Sequence, residues 1–385
     1  MNSAATNWKF HSPVQLHVGR GSRGRLIDAL AGKTCLVVTS VRGRRQLGAD
    51  PLLGVLGQRA DLIWVDGVTE NPGLDWLESE RARLRGIGFD AVVGFGGGSS
   101  LDSAKVLAVS LAEGLADLPL RDLLANPALH SDARPKPLYA LPTTAGTGSE
   151  VTPFSTVWDH AQRKKYSLAG PAVYAAVAIV DADLTDSLPA QATLSTGLDA
   201  INQAAESIWN RNMTPVSEGF ATRALQQGFA ALPRLMANPA DRSARTAMAE
   251  CSVLAGLAIS QTRTALCHSM SYPITAHFGV SHGLACAFTM PAVLEFNLGV
   301  DDGRFERLAH ALLGPKGDTA ALLEHFQALN RQLGVGKLVR TSIPSLDMLL
   351  GLASEMFTPG RADNNLADVD TRRLEELLDR SWHDA

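Results

Sequence analysis

Residues 94–105 have the composition of a phosphate-binding turn. They contain the run Gly96-Gly97-Gly98-Ser99-Ser100, which follows an apolar stretch at 91–93 and precedes an apolar-periodic stretch at 106–109. This order predicts a strand, a glycine-rich turn and a helix. Backbone N–H groups at a helix N-terminus bind anions, and glycines let the main chain approach a phosphate closely. The segment therefore predicts a site for the pyrophosphate of a nucleotide, with an ordinary tight turn as the alternative.

A second polar segment, residues 142–150, follows the predicted strand at 139–141. It carries the hydroxyls of Thr143, Thr144 and Thr147 among small residues. Ligands bind outside the carboxyl ends of strands in open α/β sheets, and such hydroxyls suit a ribose and phosphates. A Ser/Thr turn with a helix cap is the alternative. Together with the glycine-rich turn, the segment favours a cofactor site.

Four side chains further along the chain could hold a metal ion. Asp199 and Gln203 are four residues apart, a spacing that places both on one face of a helix. His268 and His282 follow later. One carboxylate and two imidazoles form a donor set for Fe(II) or Zn(II) with open positions for water or substrate. Polar helix faces and satisfied core histidines are the alternative reading of these residues.

The first half of the chain has the pattern of a parallel sheet covered by helices. Short apolar runs predict strands at 36–39, 62–65, 91–93, 139–141 and 178–180, and helical patterns lie at 25–31, 74–85 and 103–112. Alternation of this kind is typical of α/β domains. Residues 154–158 and 165–168 are predicted to form a hairpin.

The second half is predicted to be helical. Alanine and leucine recur at helical spacing in residues 219–232, 244–259, 305–313, 320–333 and 346–356. We therefore expect an α/β dinucleotide-binding domain over residues 1–184 and an all-α metal- and substrate-binding domain over residues 185–385.

Composition narrows the class of protein. The chain of 385 residues is long enough for two domains, and its net charge of −4 argues against a general nucleic-acid binder. Residues 1–19 have no continuous apolar core, and no apolar run has the length of a membrane span. The four cysteines form no C-x-x-C pair, which suits buried free thiols. We expect a cytoplasmic protein without a membrane or nucleic-acid partner.

Taken together, the motifs resemble the iron-containing alcohol dehydrogenases. Gly-Gly-Gly-Ser-x-x-Asp, Pro-Thr-Thr-x-Gly-Thr-Gly-Ser-Glu, Gly-x-Asp-Ala and a histidine fourteen residues before His-Gly occur in the family's order. The resemblance runs from about Phe10 to beyond Asn297. It implies a dehydroquinate synthase-like fold with an NAD(P)-binding α/β domain and a helical metal-binding domain.

The resemblance also assigns site residues. The cofactor positions it implies are Asn71, Gly97, Gly98, Ser99, Asp102, Thr143, Thr144, Thr147 and Lys165. The family's metal ligands are Asp, His, His and His, which become Asp199, Gln203, His268 and His282. Gln203 thus replaces an imidazole, and an amide oxygen is a weaker and harder donor. Either the metal binds less tightly, or water supplies the fourth contact.

The residues around Ser40 bear on the choice of cofactor, and His277 bears on the source of the proton. Members of the family that prefer NAD usually carry an aspartate where this chain has Ser40, and Arg42, Arg44 and Arg45 lie just beyond. An arginine near this position suits the 2′-phosphate of NADPH. NADPH should therefore be tolerated, unless these arginines merely face solvent. His277 is expected as proton donor or substrate contact, with a surface histidine as the alternative.

Arg263 bears on the substrate. It lies five residues before His268 among small and apolar residues, and a guanidinium there suggests recognition of an anionic group. Fragments at 156–159, 164–167 and 259–264 resemble the phosphonoacetaldehyde reductase branch of the family. We therefore expect NAD(P)H-dependent, metal-assisted reduction of a short anionic aldehyde by a homodimer. A dehydrogenase for neutral aldehydes and a nucleotide-binding protein without catalysis are the alternatives.

Overall fold

The structure is a computed structural model that describes residues 7–162 and 164–384. Residues 1–6, Arg163 and Ala385 lie outside the described residues. Arg163 falls in the turn of the predicted hairpin, residues 1–6 in the predicted N-terminal domain and Ala385 in the predicted C-terminal domain. The chain separates into two compact units. One comprises Ser12–Ser187, and the other comprises Leu188–Ala385 together with N-terminal residues up to His11.

The first unit is built on a parallel sheet. Its strands are β1 (Gln15–Val18), β2 (Thr34–Val38), β3 (Asp61–Val65), β4 (Ala91–Gly96), β5 (Leu138–Pro142) and β8 (Val177–Val180). They are ordered β1-β8-β5-β4-β2-β3, and every pair is parallel. β4 is apolar and buried throughout because it pairs on both edges and is covered on both faces. The expected α/β class is confirmed, and the short strand β1 is an addition to the predicted strands.

Helices α1 to α6 join these strands. They are α1 (Arg25–Leu30), α2 (Val41–Ala49), α3 (Leu56–Arg59), α4 (Leu74–Leu84), α5 (Gly98–Ser110) and α6 (Leu120–Ala125). α5 begins within the glycine-rich segment, five residues earlier than its apolar periodicity predicts. The reason is that its first turn contains glycine and serine, which carry no apolar signal.

The predicted hairpin is also present. β6 (Phe154–Asp159) and β7 (Lys164–Ala169) pair antiparallel, with Phe154 opposite Ala169 and Asp159 opposite Lys164. In this register Val157 and Leu168 are buried and pack with residues of α5 such as Leu101. The hairpin therefore covers one face of the unit that carries the glycine-rich turn.

The second unit is helical. Its helices are α7 (Ala190–Ile208), α8 (Pro215–Ala237), α9 (Arg242–Thr262), α10 (Leu266–Phe278), α11 (His282–Leu298), α12 (Arg304–Leu313), α13 (Thr319–Leu333), α14 (Val335–Ser342), α15 (Leu346–Leu350) and α16 (Thr371–Asp384). Among the described residues of this unit no strand occurs, as predicted. No helix in the described ranges combines the length and apolarity needed to cross a bilayer.

The N-terminal segment belongs with the helices rather than with the sheet. The His11 backbone donates to Gln261 Oε1 at 3.1 Å and accepts from Gln261 Nε2 at 2.9 Å. The Phe10 ring packs against Phe220 at 5.8 Å between centroids. The predicted N-terminal domain included these residues, because their contacts are more than 200 positions away in sequence and leave no local signal.

Candidate functional site

In the first unit, the glycine-rich turn lies where the strand order changes direction. The chain runs outward from β2 to β3 on one side and from β4 to β5 on the other, so the crevice between β2 and β4 is the switch point at which such sheets bind ligands. Thr39 Oγ1 donates to Phe95 O at 2.6 Å and ties the two strand ends together. The turn after β4 therefore opens at the place expected for a nucleotide.

The backbone of this turn is free to meet a phosphate. Gly97 is the N-cap of α5 and supplies no side-chain cap, so the first N–H groups of the helix are available to an anion. A Cβ at Gly98 would lie 2.6 Å from Thr147 Cγ2, and one at Gly97 would lie 3.3 Å from Thr144 Cγ2. Only glycine fits at position 98, and the threonines of the second segment stand directly against the turn.

The other predicted cofactor residues surround the same turn. Thr143 N donates to Gly96 O at 2.9 Å. Asn71, at φ 55°, donates from its backbone to Ser99 Oγ at 3.3 Å. The structure thus brings Asn71, Ser99 and the three threonines together, although they come from three separate segments.

Asp102 and its neighbours anchor the turn. The Asp102 carboxylate accepts from Ser149 Oγ at 2.7 Å and from the Thr156 N–H at 2.8 Å. Burial raises the pKa of Asp102. Buried Lys105 donates to Thr152 O at 2.8 Å, and burial lowers its pKa to about 8 against the opposing charges of Asp102 and Glu150. Both oxygens of Asp102 are therefore used inside the protein, where they join α5 to the second segment and to β6.

Ser40 and Lys165 lie at the edges of this region. Ser40 Oγ accepts from Gly43 N at 3.0 Å and is the N-cap of α2. Arg44, four residues on, pairs with Asp66 at 2.6 Å and covers the Trp64 ring at 4.5 Å. Lys165 Nζ lies 5.7 Å from the centre of the Trp158 ring. Arg44, four residues after Ser40, is thus paired with Asp66, the residue that follows β3.

In the second unit, three helices bring the metal-type residues together. Asp199 comes from α7, His268 from α10 and His282 from the first turn of α11. Asp199 Oδ1 lies 3.3 Å from His268 Nε2 and 3.8 Å from His282 Nε2. With Cys286 Sγ, the donor atoms of these residues all lie within 4.8 Å of one another. This cluster is the candidate metal centre.

A close approach of two helices makes this geometry. A Cβ on Gly283 would lie 1.8 Å from Ser195 O and 2.9 Å from Asp199 N. Glycine after His282 therefore lets the start of α11 touch the backbone of α7 beside the Asp199 carboxylate. The His-Gly pair of the sequence motif has a steric basis in this contact.

Contacts at their Nδ1 atoms orient the rings of His268 and His282. Glu206 on α7 is fully buried. Its Oε2 lies 2.7 Å from His268 Nδ1, and its Oε1 accepts from the backbone N–H of His268 at 3.1 Å. Ser271 Oγ lies 3.2 Å from His282 Nδ1. The Nε2 atoms of both rings thereby face Asp199, as in metal sites whose histidines are held by second hydrogen bonds.

The ionisable groups of the cluster shift one another's pKa values towards the charged forms. Burial opposes ionisation of Asp199, yet His268 and His282 hold its pKa below the usual value. Burial likewise opposes protonation of His268, but Cys286, Glu206 and Asp199 raise its pKa well above the usual value. Burial raises the pKa of Cys286, and the two imidazoles outweigh it and bring the pKa to about 7.

The donor set fits a divalent cation. Asp199 Oδ1 and Gln203 Oε1 are buried and have no hydrogen-bond partner among the described residues. Unpaired buried oxygens are costly unless a cation or water binds them. Two imidazole nitrogens and a carboxylate are donors that Fe(II) and Zn(II) accept. The residues present therefore fit the metal that the sequence motif implies.

Arg263 has an unusual backbone. It ends α9 at φ 62° and ψ −179°, a region that is almost restricted to glycine. Its side chain is exposed, and no carboxylate within the described ranges pairs with it. Its pKa is lowered, first by partial removal from water and then by the charge of Arg361. The loop that carries Arg361 is fixed to the same region, because Thr358 N donates to Ser269 Oγ at 2.8 Å.

His277 is placed differently from the cluster residues. It is exposed near the end of α10, and its Nε2 lies 3.0 Å from Glu355 Oε2. Tyr272 stacks on the His282 ring, with the ring centroids 5.9 Å apart and the ring planes at 11°. The rings next to His282 are thus those of His268 and Tyr272.

Glu206 and Cys286 are not among the site residues that the sequence predicts. Glu206 follows Gln203 by three residues on α7, and Cys286 follows His282 by four on α11. These spacings place each residue on the helix face of a predicted ligand, which was the available signal.

A glycine-rich turn suited to a phosphate on a parallel sheet and a cluster of metal-type donors on helices are the features expected of a metal-dependent dehydrogenase. Residues 13–182 match the model of the iron-containing alcohol dehydrogenases, and residues 193–377 match the C-terminal model of the same family. The chain belongs to the iron-containing alcohol dehydrogenase family, and it is an NAD(P)-dependent enzyme that uses a divalent metal, as the sequence predicted.

Named relatives extend this finding. The chain is 34% identical to phosphonoacetaldehyde reductase of Streptomyces viridochromogenes over 309 residues, which cover 77% of each chain. It is 37% identical to the probable alcohol dehydrogenase EutG of Escherichia coli over 66% of this chain, and the match spans 64% of that relative's length. A crystal structure of sulfoacetaldehyde reductase from Bifidobacterium kashiwanohense with NAD+ is similar at a TM-score of 0.86 and 27% identity, covering 98% of this chain and 99% of the other.

Proposed function

We propose that this enzyme reduces a short aldehyde that carries an anionic group, with phosphonoacetaldehyde to 2-hydroxyethylphosphonate as the best candidate. The balance is aldehyde, NAD(P)H and one proton to alcohol and NAD(P)+. Arg263 supports this proposal most directly, because its guanidinium has no carboxylate partner in the described part of the chain and its backbone conformation favours glycine. Strain of this kind costs on the order of 1–3 kcal/mol and is retained mainly at functional positions.

The surroundings of Arg263 support an anion site. Arg361 lies close enough for its charge to lower the pKa of Arg263, and neither guanidinium forms an ion pair with a carboxylate of the described residues. An anion between them would relieve this repulsion and accept bidentate hydrogen bonds. Thr264, next to Arg263, is bonded through its carbonyl to Asn364 Nδ2 at 3.0 Å, which holds the two arginine-bearing segments together.

The relatives support the same class of substrate. Phosphonoacetaldehyde reductase, at 34% identity, acts by its name on an aldehyde with a phosphonate group. Sulfoacetaldehyde reductase of Bilophila wadsworthia, at 30% identity over 74% of this chain, is named for an aldehyde with a sulfonate group. Both substrates place a tetrahedral anion next to a two-carbon aldehyde, a shape that a pair of guanidinium groups recognises.

The proposed roles follow from the contacts. Asp199, His268 and His282 would hold the metal, with Gln203 Oε1 as the fourth donor that the family resemblance suggests. The metal, when bound, supplies a Lewis acid for the carbonyl oxygen of the substrate. Glu206 fixes the ring of His268, and Ser271 that of His282. His277 stays a proposal as proton donor, and its bond to Glu355 would have to open for that role.

For the cofactor, we propose that the turn at Gly97, Gly98 and Ser99 binds the pyrophosphate. The threonines at 143, 144 and 147 and Asn71 border it, and Asp102 fixes its shape. Lys165 is proposed as a further contact. The nicotinamide, when bound, would supply the hydride for the carbonyl carbon. Ser40 leaves room for NADPH, since it puts no carboxylate beside the ribose.

Location and assembly are proposals as well. The four cysteines are buried and free, which suits a reducing cytoplasm. We propose a homodimer, which light scattering of the purified protein tests.

The experiment measures NADPH and NADH oxidation with phosphonoacetaldehyde, sulfoacetaldehyde and propionaldehyde in the presence of Fe(II) or Zn(II). We expect the anionic aldehydes to be preferred. Arg263→Gly should relieve the backbone strain and raise KM for phosphonoacetaldehyde by about 10- to 100-fold, the value of a lost hydrogen bond to a charge. KM for propionaldehyde should change little. Arg331→Ala, an exposed arginine paired with Glu324, is the control.

Two outcomes would replace the proposal. Equal turnover of propionaldehyde and phosphonoacetaldehyde would make the chain a dehydrogenase for neutral primary alcohols. Cofactor binding without turnover under any metal supplementation would make it a nucleotide-binding protein that has lost catalysis with its third histidine.

A further inference from the structure

Cys286 is a buried thiol in the middle of the metal-type cluster. It is fully buried on α11, one helical turn after His282. Its Sγ lies 3.9 Å from Nε2 and 4.0 Å from Nδ1 of His282. The other free cysteines, Cys35, Cys251 and Cys267, belong to no such cluster among the described residues. The position of Cys286 is therefore not shared by the chain's other thiols.

The distances suit a common metal ion. A tetrahedral site with ordinary zinc bond lengths puts nitrogen and oxygen donors about 3.4 Å apart and nitrogen and sulfur donors about 3.6 Å apart. Asp199 Oδ1 lies 3.3 Å from His268 Nε2, and Cys286 Sγ lies 3.9 Å from His282 Nε2. All four donor atoms fall within 4.8 Å. The first of these distances matches an ordinary tetrahedral site and the second exceeds it by about 0.3 Å, and the donors that lie furthest apart would have to close by up to roughly 1 Å around a common ion.

Gln203 is the competing fourth donor. Its Oε1 is buried without a partner in the described ranges and is therefore also available to a cation. An amide oxygen is neutral and hard, whereas Fe(II) and Zn(II) prefer imidazole and thiolate. A thiolate would also leave the site uncharged, since two anionic ligands balance a divalent cation.

We infer that Cys286 Sγ is a protein ligand of the metal, so that the donor set is Asp199, His268, His282 and Cys286, with Gln203 beside it. The inference rests on the metal site of the proposed function. It explains how this chain keeps four strong donors although glutamine has replaced a family histidine. It also restricts the metal, because a thiolate selects against Mg(II) and Mn(II).

The first test is X-ray absorption of the full-length protein loaded with one equivalent of Zn(II). A sulfur neighbour at about 2.3 Å supports the inference. A shell of nitrogen and oxygen alone at about 2.0–2.1 Å overturns it while leaving the metal site in place. Failure to retain Zn(II) at one equivalent would instead overturn the metal site and the inference together. This measurement needs no variant and hence no assumption about folding.

The second test uses Co(II) absorption and matched variants. The wild-type protein should show a sulfur-to-cobalt charge-transfer band in the near ultraviolet besides the visible bands. Cys286→Ser should lose that band and bind Co(II) at least about 100-fold more weakly, the upper range for loss of a supporting contact. Cys251→Ser, an equally buried thiol outside the cluster, should keep both the band and the affinity. A charge-transfer band that survives in Cys286→Ser overturns the inference.

Discussion

Glu206 Oε2 lies 2.7 Å from Nδ1 of His268, and Oε1 of the same carboxylate accepts from the His268 N–H at 3.1 Å. The carboxylate also accepts from Ala265 N at 2.7 Å, so it holds both the ring and the first turn of α10. A carboxylate only accepts, so Nδ1 donates its hydrogen to Glu206, and Nε2 on the other side of the ring is left for Asp199 or for a metal ion. Glu206 therefore orients the ring of His268, a proposed metal ligand 62 residues away in the sequence.

We predict that Glu206→Gln weakens metal binding by about 10- to 100-fold, as loss of such a supporting carboxylate does elsewhere. The amide keeps the size of the side chain, but it cannot accept from Nδ1 with a full negative charge. The measurement is a competition titration of Zn(II) against a chelator. Glu218→Gln is the control, because Glu218 lies on α8, pairs with Arg307 and is outside the metal-type cluster. Unchanged affinity in Glu206→Gln would mean that Glu206 only anchors the start of α10.

Gly283→Ala should disrupt the metal centre through the backbone. The added Cβ would lie 1.8 Å from Ser195 O, so α11 must move away from α7 and carry His282 with it. Overpacking of this kind costs about 1–3 kcal/mol, and we expect loss of bound metal with a lowered Tm. Gly299→Ala, at the other end of α11, meets nothing closer than 3.5 Å and is the control. Full metal content in Gly283→Ala would show that the helices tolerate separation.

The sequence predicted the motifs better than the contacts between them. The apolar runs at 91–93 and 139–141 predict β4 and β5 because buried parallel strands are continuously hydrophobic. Strand β1 has only two apolar residues and helix α2 is largely polar, so neither gives an apolar run that the sequence pattern would reveal. The roles of Glu206 and Cys286 depend on the packing of α7 against α10 and α11. That packing is set by contacts such as Gly283 with Ser195 O, which no local pattern reports.

The pH dependence of stability in the first unit should reflect Glu150. Burial raises the pKa of this carboxyl to about 7 from an ordinary 4.5, with Lys105 opposing the shift. Between these values the folded chain keeps a proton that the unfolded chain has released. The stabilisation is therefore complete below pH 4.5 and is lost as the pH rises to about 7.

Glu150→Gln removes this titration. We expect the free energy of unfolding of the variant to rise relative to that of the wild-type protein as the pH rises from 4.5 to about 7, by at most about 3 kcal/mol. Urea unfolding at several pH values measures it, with the exposed Glu113→Gln as the control. Parallel curves for wild type and Glu150→Gln would show that Glu150 is already ionised in the folded chain.

Ser40→Asp should shift the enzyme from NADPH towards NADH. Ser40 follows β2 at the switch point of the sheet, where an aspartate would accept from a ribose 2′-OH and repel a 2′-phosphate. Aspartate is as good an N-cap as serine, so the bond to Gly43 N and the stability of α2 should be kept.

We expect the ratio of kcat/KM for NADPH over NADH to fall by at least about 10-fold, roughly 1.4 kcal/mol of differential binding. Steady-state kinetics with each cofactor measure this ratio. Ser40→Ala, which loses the cap but adds no charge, separates the electrostatic effect from a change in α2. An unchanged ratio in Ser40→Asp would place the 2′ position of the ribose away from the end of β2.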